Sequence, residues 1–369
     1  MKTFLTLAML SVSTAFLAAQ PSLKFEKDGQ PLTIEERMAQ EKTQGVTMVA
    51  MLDGEVVLND AWGWRERETQ SPANENTLFQ IGSMSQPLTQ LAILQLVDRG
   101  VLDLDTDINQ YLRSWQFPVS KLTEERPITL RQLMLQTRGI KFPYKPKGYA
   151  AGSTLPTHLQ LLNGESPAKN PAVKLKSDLN KSGNNSFAPA LIMQQILMDH
   201  YELSFPELMK QYVFTPLKME NSFYAAEPTA EQQENIAIGY DDNNQPMPDG
   251  FLRFPELAAS GMYSTAYDYA LFIQAIFDAV DGKAGAILSQ PLAKEAVTPE
   301  SDEEVLLFGR GDGIYFWGGA TKGYYCQFEA DATDRRWLVV AFSNDNINWS
   351  FNRELRNAAA EYARSRMSR

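Results

Sequence analysis

Ser83 and the residue three positions after it decide what chemistry this chain can do. The stretch 79–87 reads Phe-Gln-Ile-Gly-Ser-Met-Ser-Gln-Pro and opens a long apolar helix. Residues three apart share one face of a helix, so a lysine three positions after a serine can take the proton of its hydroxyl. Here that position holds Gln86, whose carboxamide has no usable basicity. The sequence therefore predicts a nucleophile without the usual base.

Four other side chains are candidates for activating Ser83. His158 lies in a segment predicted to be a polar loop over the cleft, and His200 lies at the end of a predicted helix, where a structural role is more common. Lys181 and Lys322 lie in predicted loops. A desolvated lysine has a lowered pKa and can act as a base, although most loop lysines are simply solvated.

The elements that must position Ser83 are a helix and strands from both ends of the chain. Ser83 to Arg99 is apolar and is followed by Gly100, which favours a helix with a glycine cap. Segments 46–52 and 55–58 read as strands joined by a tight Asp53-Gly54 turn. Further strands are predicted at 314–317, 324–329 and 336–342, with helices at 33–44 and 352–367.

This order of elements predicts an α+β fold. Strands at both ends surround a mostly helical middle, from about 103 to 280, so we expect one antiparallel sheet built from both termini beside a helical lobe. No repeat or linker divides the chain. We therefore expect residues 20–369 to form a single domain.

Composition narrows the possible ligands and locations. Residues 1–19 resemble a secretory signal, so we expect export across the inner membrane to the periplasm, with a retained anchor as the alternative. No later segment is apolar enough to span a bilayer. The single cysteine, Cys326, rules out an intrachain disulfide and is expected to be buried in a strand.

The net charge and the numbers of histidine and cysteine argue against two kinds of ligand, nucleic acid and metal ions. A net charge of −11 argues against nucleic acid as a partner. Two histidines and one cysteine, without a cluster, predict no metal site. The expected ligand is a small molecule or a peptide, and the oligomeric state stays open.

Several motifs along the chain resemble those of the serine beta-lactamase-related family, which includes class C beta-lactamases, D-alanyl-D-alanine carboxypeptidases and related esterases. Besides the Ser83 stretch, they are Leu94-Gln-Leu-Val-Asp-Arg-Gly-Val-Leu-Asp-Leu104, Ile128-Thr-Leu-Arg-Gln-Leu-Met134, Pro216-Leu-Lys-Met219, Ser260-Gly-Met-Tyr-Ser-Thr-Ala266 and Trp317-Gly-Gly319. Their order and spacing imply the beta-lactamase/transpeptidase-like fold and no cofactor.

The resemblance also assigns roles to individual residues. Ser83 stands at the nucleophile position and Gln86 at the position of the lysine base. Ser182-Gly183-Asn184 stands at the second motif, usually Tyr-x-Asn, where a serine hydroxyl cannot replace the tyrosine as base. Gln136 and Arg138 occupy the His and Ser positions of a further His-Thr-Ser-Gly motif.

The third motif, a cation followed by Thr, Ser or Gly and then Gly, appears here as Trp317-Gly318-Gly319. By the resemblance these residues, with Thr321 and Lys322, line the substrate site, and Trp317 supplies no charge for a substrate carboxylate. The family's oxyanion hole uses two backbone N–H groups, which here would come from Ser83 and from a residue near Gly319 to Thr321.

Three functions follow as hypotheses. The first is a divergent serine hydrolase that acts through Ser83 on an ester, amide or peptide, with weak or no beta-lactamase or carboxypeptidase activity. A second is a catalytically silent relative that binds a peptide, glycan fragment or protein in the old cleft. The third is a structural role of the outer surface.

Overall fold

Strands from both ends of the chain meet in one antiparallel sheet. The computed structural model describes residues 23–27, 29–135, 140–141, 147–175, 187–299, 305–345 and 348–367. Its strands are β1 Phe25–Lys27, β2 Gln30–Leu32, β3 Gly45–Leu52, β4 Glu55–Glu66, β5 Ser71–Pro72, β6 Phe79–Gln80, β7 Ile140–Lys141, β8 Lys174–Leu175, β9 Phe223–Tyr224, β10 Met262–Ser264, β11 Gly309–Gly311, β12 Ile314–Thr321, β13 Tyr324–Asp331 and β14 Trp337–Ser343. The main sheet has seven strands in the order β11-β12-β13-β14-β3-β4-β5.

The helices fall into a lobe on one face of this sheet and a pair on the other. They are α1 Ile34–Glu41, α2 Ser85–Asp98, α3 Lys121–Glu125, α4 Leu130–Met134, α5 His158–Asn163, α6 Ala188–Tyr201, α7 Phe205–Met209, α8 Thr215–Leu217, α9 Ala230–Gln233, α10 Leu257–Ser260, α11 Ala266–Val280, α12 Gln290–Val297 and α13 Trp349–Arg364. α1 and α13 cover one face of the sheet, and α11 covers the other with the helical lobe beyond it. None of the described helices is both long and apolar enough to cross a bilayer.

β3 is apolar at every position except Thr47, because both of its faces are covered. Val49 and Met51 belong to the core beneath the helical lobe, whereas Met48 and Ala50 belong to the core beneath α1 and α13. Successive side chains of a strand point to opposite faces, so a strand between two layers needs apolar residues at every position. The turn after β3 uses left-handed residues, Asp53 with φ 51° and Gly54 with φ 82°, as the sequence predicts.

α2 is the central helix of the lobe and is buried almost all round. Its C-terminal end is closed by Gly100, with φ 70°, whose N–H donates to the carbonyl of Val97 at 2.9 Å. The N–H of Val101 bonds to the carbonyl of Leu96, which completes the glycine cap predicted from the sequence.

The predicted α+β layout and the single antiparallel sheet from both termini are confirmed. Three strands are longer than predicted: β4 runs to Glu66, β13 runs to Asp331, and β12 continues past Trp317 through two glycines to Thr321, because pairing with β13 holds the backbone extended there. The closing helix starts and ends three residues earlier than predicted. Cys326 lies in β13 and is fully buried, as expected, and burial raises the pKa of its thiol.

Several predictions concern residues outside the described part of the chain. They are the signal segment 1–19, the second-motif residues Ser182 and Asn184, the candidate base Lys181, and Gln136 with Arg138.

Candidate active site

Ser83 lies in a single 3-10 turn, Gly82–Met84, that leads directly into α2. Gly82 has φ 54°, in the left-handed region where a side chain is strained. A methyl group at Gly82 would also lie 2.9 Å from the amide nitrogen of Ala320 and 3.0 Å from its carbonyl oxygen. Glycine is therefore required immediately before the serine.

Hydrogen bonds between uncharged, buried groups hold this turn in place. The Ser85 hydroxyl donates to the Gly82 carbonyl at 2.6 Å and accepts from the N–H of Met262 at 3.3 Å. Tyr224 donates its hydroxyl to the Ser85 carbonyl at 2.7 Å. Every one of these groups is buried, so the bonds are shielded from competition with water.

A second buried tyrosine completes this support. The Tyr269 hydroxyl donates to the carbonyl of Met84 at 3.2 Å. Burial raises the pKa of Tyr224 and of Tyr269, so both phenols keep the protons that they donate. The turn that presents Ser83 is thereby held by side chains from β9 and α11.

β12 passes so close to this turn that a side chain cannot fit between them. A methyl group at Gly319 would overlap the carbonyl oxygen of Ile81 and would lie 2.7 Å from the amide nitrogen of Met84 and 2.9 Å from that of Ser83. Gly319 is buried, whereas its neighbour Gly318 is exposed. The strand therefore meets the turn backbone to backbone.

Two backbone amides come together at this contact. In the hairpin of β12 and β13, Thr321 and Tyr324 flank a two-residue turn and bond to each other. Only alternate residues of β12 bond to β13 in an antiparallel pair, so Ala320, the next residue along, directs its N–H away from β13. β11 pairs only with residues 314–316, and no other described strand covers the Ala320 amide. The Ser83 N–H lies in the first turn of the helical segment, where amides have no partner within the helix. Such a pair of donors is what an oxyanion hole requires.

Trp317 lies on the same face of β12 as Gly319 and reaches the serine turn. Its indole Nε1–H donates to the carbonyl oxygen of Ser83 at 2.9 Å. The ring is half-buried against the core of the helical lobe. The site thus presents an uncharged aromatic face at the position where the resemblance would place a cation.

Gln86 is buried and turned toward α10. Its Nε2 lies 3.5 Å from the carbonyl oxygen of Ala259. The amide supplies hydrogen bonds but cannot accept the proton of Ser83. Among the described residues, nothing hydrogen-bonds the Ser83 hydroxyl.

The candidate bases that the structure describes lie elsewhere. The expectation that His158 occupies a polar loop over the cleft is wrong: it is the first residue of α5, and its Nε2 lies 3.1 Å from the carbonyl of Leu191 in α6. Burial lowers the pKa of His158 to about 4, so its ring is neutral. His200 is in the last turn of α6, at the helix end, as predicted. Lys322 is exposed in the turn after β12.

Of the other predicted site residues, Thr321 is buried on the Gly319 face of β12, and its hydroxyl bonds to none of the described residues. Gly318 lies on the opposite, exposed face. The structure therefore brings Ser83, Gln86, Trp317 and Gly319 together, while Gly318 and Lys322 lie outward from them.

The sequence reasoning missed the residues that support the site. Ser85, Tyr224, Tyr269 and Ala259 make their contacts through tertiary packing, and no local pattern marks them. The sequence did point to the neighbourhood of Ala320, since this residue directly follows Trp317-Gly318-Gly319 and lies within the range Gly319 to Thr321 predicted for the second amide. Only the register of the hairpin selects Ala320 within that range.

A buried acid lies behind this site. Glu256 immediately precedes α10 and is fully buried, and no other described residue hydrogen-bonds either of its carboxylate oxygens. Burial raises the pKa of Glu256 to about 7, against smaller opposing effects of a backbone hydrogen bond and of the Lys169 ammonium. α10 packs against α2 and the Ser83 turn, so this titratable group adjoins the wall that holds Gln86.

Comparison with known proteins gives a consistent set of matches. The family model described as "Beta-lactamase" matches residues 32–363. The Bacillus subtilis protein named "Putative penicillin-binding protein PbpX" is 26% identical over 311 residues, which cover 82% of this chain and 71% of that protein. Esterase EstB of Burkholderia gladioli is 29% identical over 129 residues, 35% of this chain and about a third (32%) of EstB.

Among solved structures, EstCE1, "a hydrolase with promiscuous acyltransferase activity", aligns with a TM-score of 0.72. The alignment covers 89% of this chain and 96% of EstCE1 at 18% sequence identity. At that identity the likeness shows the fold alone. A class C beta-lactamase aligns with a TM-score of 0.68 over 89% of this chain and 93% of its own length at 16% identity, so the fold is the predicted one.

Gly319→Ala should destabilise the protein by roughly 3 kcal/mol, because the added methyl overlaps the Ile81 carbonyl and forces the strand away from the Ser83 turn. Gly318→Ala is the matched control, since the nearest atom to its methyl, the Tyr325 hydroxyl, is 3.6 Å away. Its expected change is below about 0.5 kcal/mol. Urea unfolding measures both. Equal stabilities of the two variants would contradict the close contact.

Glu256→Gln should remove a pH-dependent loss of stability. The folded-state pKa of about 7 exceeds the ordinary 4.5, so the stability that comes from the neutral carboxyl is present below pH 4.5 and is lost as the pH rises through 7. The shift corresponds to about 3 kcal/mol. The measurement is the free energy of unfolding at about pH 4.5 and pH 8.

The control for this experiment is Glu75→Gln at an exposed position, which should keep the wild-type pH dependence. A difference between wild type and Glu256→Gln that is the same at both pH values would show that the carboxyl does not titrate in this range.

Proposed function

The chain belongs to the beta-lactamase family, and on that premise we propose that it is a divergent serine hydrolase whose Ser83 accepts the acyl group of an uncharged ester. The observation that carries the proposal is the pair of amides, Ser83 N–H and Ala320 N–H, at the contact between β12 and the serine turn. Preorganised N–H donors stabilise the oxyanion that forms when a hydroxyl attacks a carbonyl.

In the proposed reaction the Ser83 hydroxyl oxygen attacks the ester carbonyl, and the bond to the leaving oxygen then breaks. The two amides stabilise the negative charge on the carbonyl oxygen between these steps. The proton of the hydroxyl passes to water, because Gln86 cannot take it. Loss of a base of this kind costs on the order of 10³-fold in rate, so turnover is slow. Water then hydrolyses the acyl-enzyme.

An ester suits this site better than an amide or a beta-lactam. An alkoxide or phenolate leaves an ester without prior protonation, whereas an amine must take a proton, and a site without a general acid–base pair supplies none. Trp317 offers an aromatic face but no charge for a substrate carboxylate, and its one N–H is already donated to the Ser83 carbonyl. Both features favour neutral, activated esters over carboxylate-bearing peptides. Two similar proteins, an esterase and a hydrolase by name, agree with this class.

The second candidate is a catalytically silent protein that binds a peptide, glycan fragment or protein in the same cleft. One observation favours it: the Gln86 amide approaches Ala259, and no described side chain bonds the Ser83 hydroxyl. Such a cleft binds a ligand through neutral donors without reacting with it.

Ser83→Ala should abolish covalent labelling by a fluorophosphonate. The adduct forms on an activated hydroxyl, so intact-mass spectrometry of the wild type should show one adduct that maps to Ser83. The thermal unfolding temperature should change little, because no described residue bonds that hydroxyl. Labelling retained in Ser83→Ala would disprove that Ser83 is the nucleophile. If the folded wild type forms no adduct, the catalytically silent binding protein is the function that remains.

Gln86→Lys should not by itself give penicillin turnover. A lysine at position 86 restores a base, but Trp317 still supplies no cation for the penicillin carboxylate. Two rates are measured: hydrolysis of benzylpenicillin, and acylation by p-nitrophenyl acetate. Only the acylation rate should rise in Gln86→Lys. Gln90→Lys is the control, since Gln90 is also buried and lies one turn further along α2. Penicillin turnover by Gln86→Lys would contradict the role given to Trp317.

A further inference from the structure

The carbonyl of Ser83 lacks the partner that a continuous α-helix provides. Ser83 lies in the 3-10 turn Gly82–Met84, before α2 begins, where only the Ser85 N–H approaches this oxygen. In an α-helix this oxygen accepts the N–H of the residue four positions later. That residue is Pro87, which has no N–H. Proline is well tolerated in a first helical turn, but here it leaves the carbonyl of the nucleophile itself without this bond.

Trp317 provides the missing donor from another element. Its Nε1–H reaches the Ser83 oxygen at 2.9 Å, within the ordinary range for a hydrogen bond. The ring is held by the core of the helical lobe, and the backbone of β12 is fixed by the ladder to β13. The donor therefore belongs to a rigid strand and not to a flexible loop.

This bond joins the two halves of the oxyanion site. Trp317 is three residues before Ala320 on β12, and Ser83 carries the other amide. Between them, Gly319 rests against the Ser83 turn. A hydrogen bond from the strand to the turn restrains the separation of the two amides, and displacements of about 1 Å in such a geometry cost roughly 10²-fold in rate.

We propose that Trp317 is a positioning residue for Ser83: its indole N–H replaces the backbone donor that Pro87 removes and so fixes the serine turn against β12. The effect of this bond on the position of the turn does not depend on the protein's function. The effect on acylation rests on the proposed serine hydrolase function.

The test is a cycle of Trp317→Phe and Pro87→Ala. Trp317→Phe keeps an aromatic ring and removes the donor, so amide hydrogen exchange in peptides covering residues 79–87 should become roughly fivefold faster. Labelling by a fluorophosphonate should slow by about tenfold, with the probe concentration for half-maximal rate unchanged.

Pro87→Ala restores a backbone N–H that can donate to Ser83. Added to Trp317→Phe, it should recover most of the exchange protection and of the labelling rate, which a role limited to ring packing does not predict. Phe316→Leu is the control, since Phe316 is exposed on the opposite face of β12. It should change neither quantity in this segment.

Two outcomes would overturn the proposal: unchanged exchange at 79–87 in Trp317→Phe, or no recovery in the double variant. A wild type that takes no label would refute the hydrolase function but not the positioning role, because hydrogen exchange reports on the turn without any reaction.

Discussion

A strand edge and a helical turn touch at the site with no side chain between them, and the rest of the structure holds that contact in place. Gly82 and Gly319 face the opposing backbone at distances where a methyl group would clash. Interiors pack at the density of organic crystals, so two such surfaces stay together only when the elements behind them are fixed. α2 is buried almost all round, and β12 is tied into a seven-stranded sheet, which meets that condition.

The donors around the serine turn are neutral. Tyr224, Tyr269 and Trp317 each give one hydrogen bond to a backbone carbonyl of residues 83–85. Hydrogen bonds of this kind position a backbone without adding charge. They hold the two amides in place to bind an oxyanion, but they supply no positive charge to bind a carboxylate. The acid beside this site, Glu256, ionises only near neutral pH, because burial raises its pKa to about 7.

Much of the fold could be read from local patterns. Asp53-Gly54 marked a hairpin because only a few residues adopt the left-handed turn, and Gly100 marked the end of α2 for the same reason. His158 shows where such reading fails. It begins a short capped helix that buries the ring against α6, and burial of that kind depends on residues far along the chain.

The sequence by itself determined the chemistry available at each position: a hydroxyl at Ser83, no amine at Gln86, no cation at Trp317, and no backbone donor at Pro87. Those properties are covalent and need no fold. Tertiary structure alone decided that the indole of Trp317 meets the Ser83 carbonyl, that the Ala320 amide points away from β13, and that Glu256 is buried without a hydrogen bond from another described residue. Hydrogen bonds and desolvation act over a few ångströms, and residues 83 and 317 come within that range only when the sheet closes on α2.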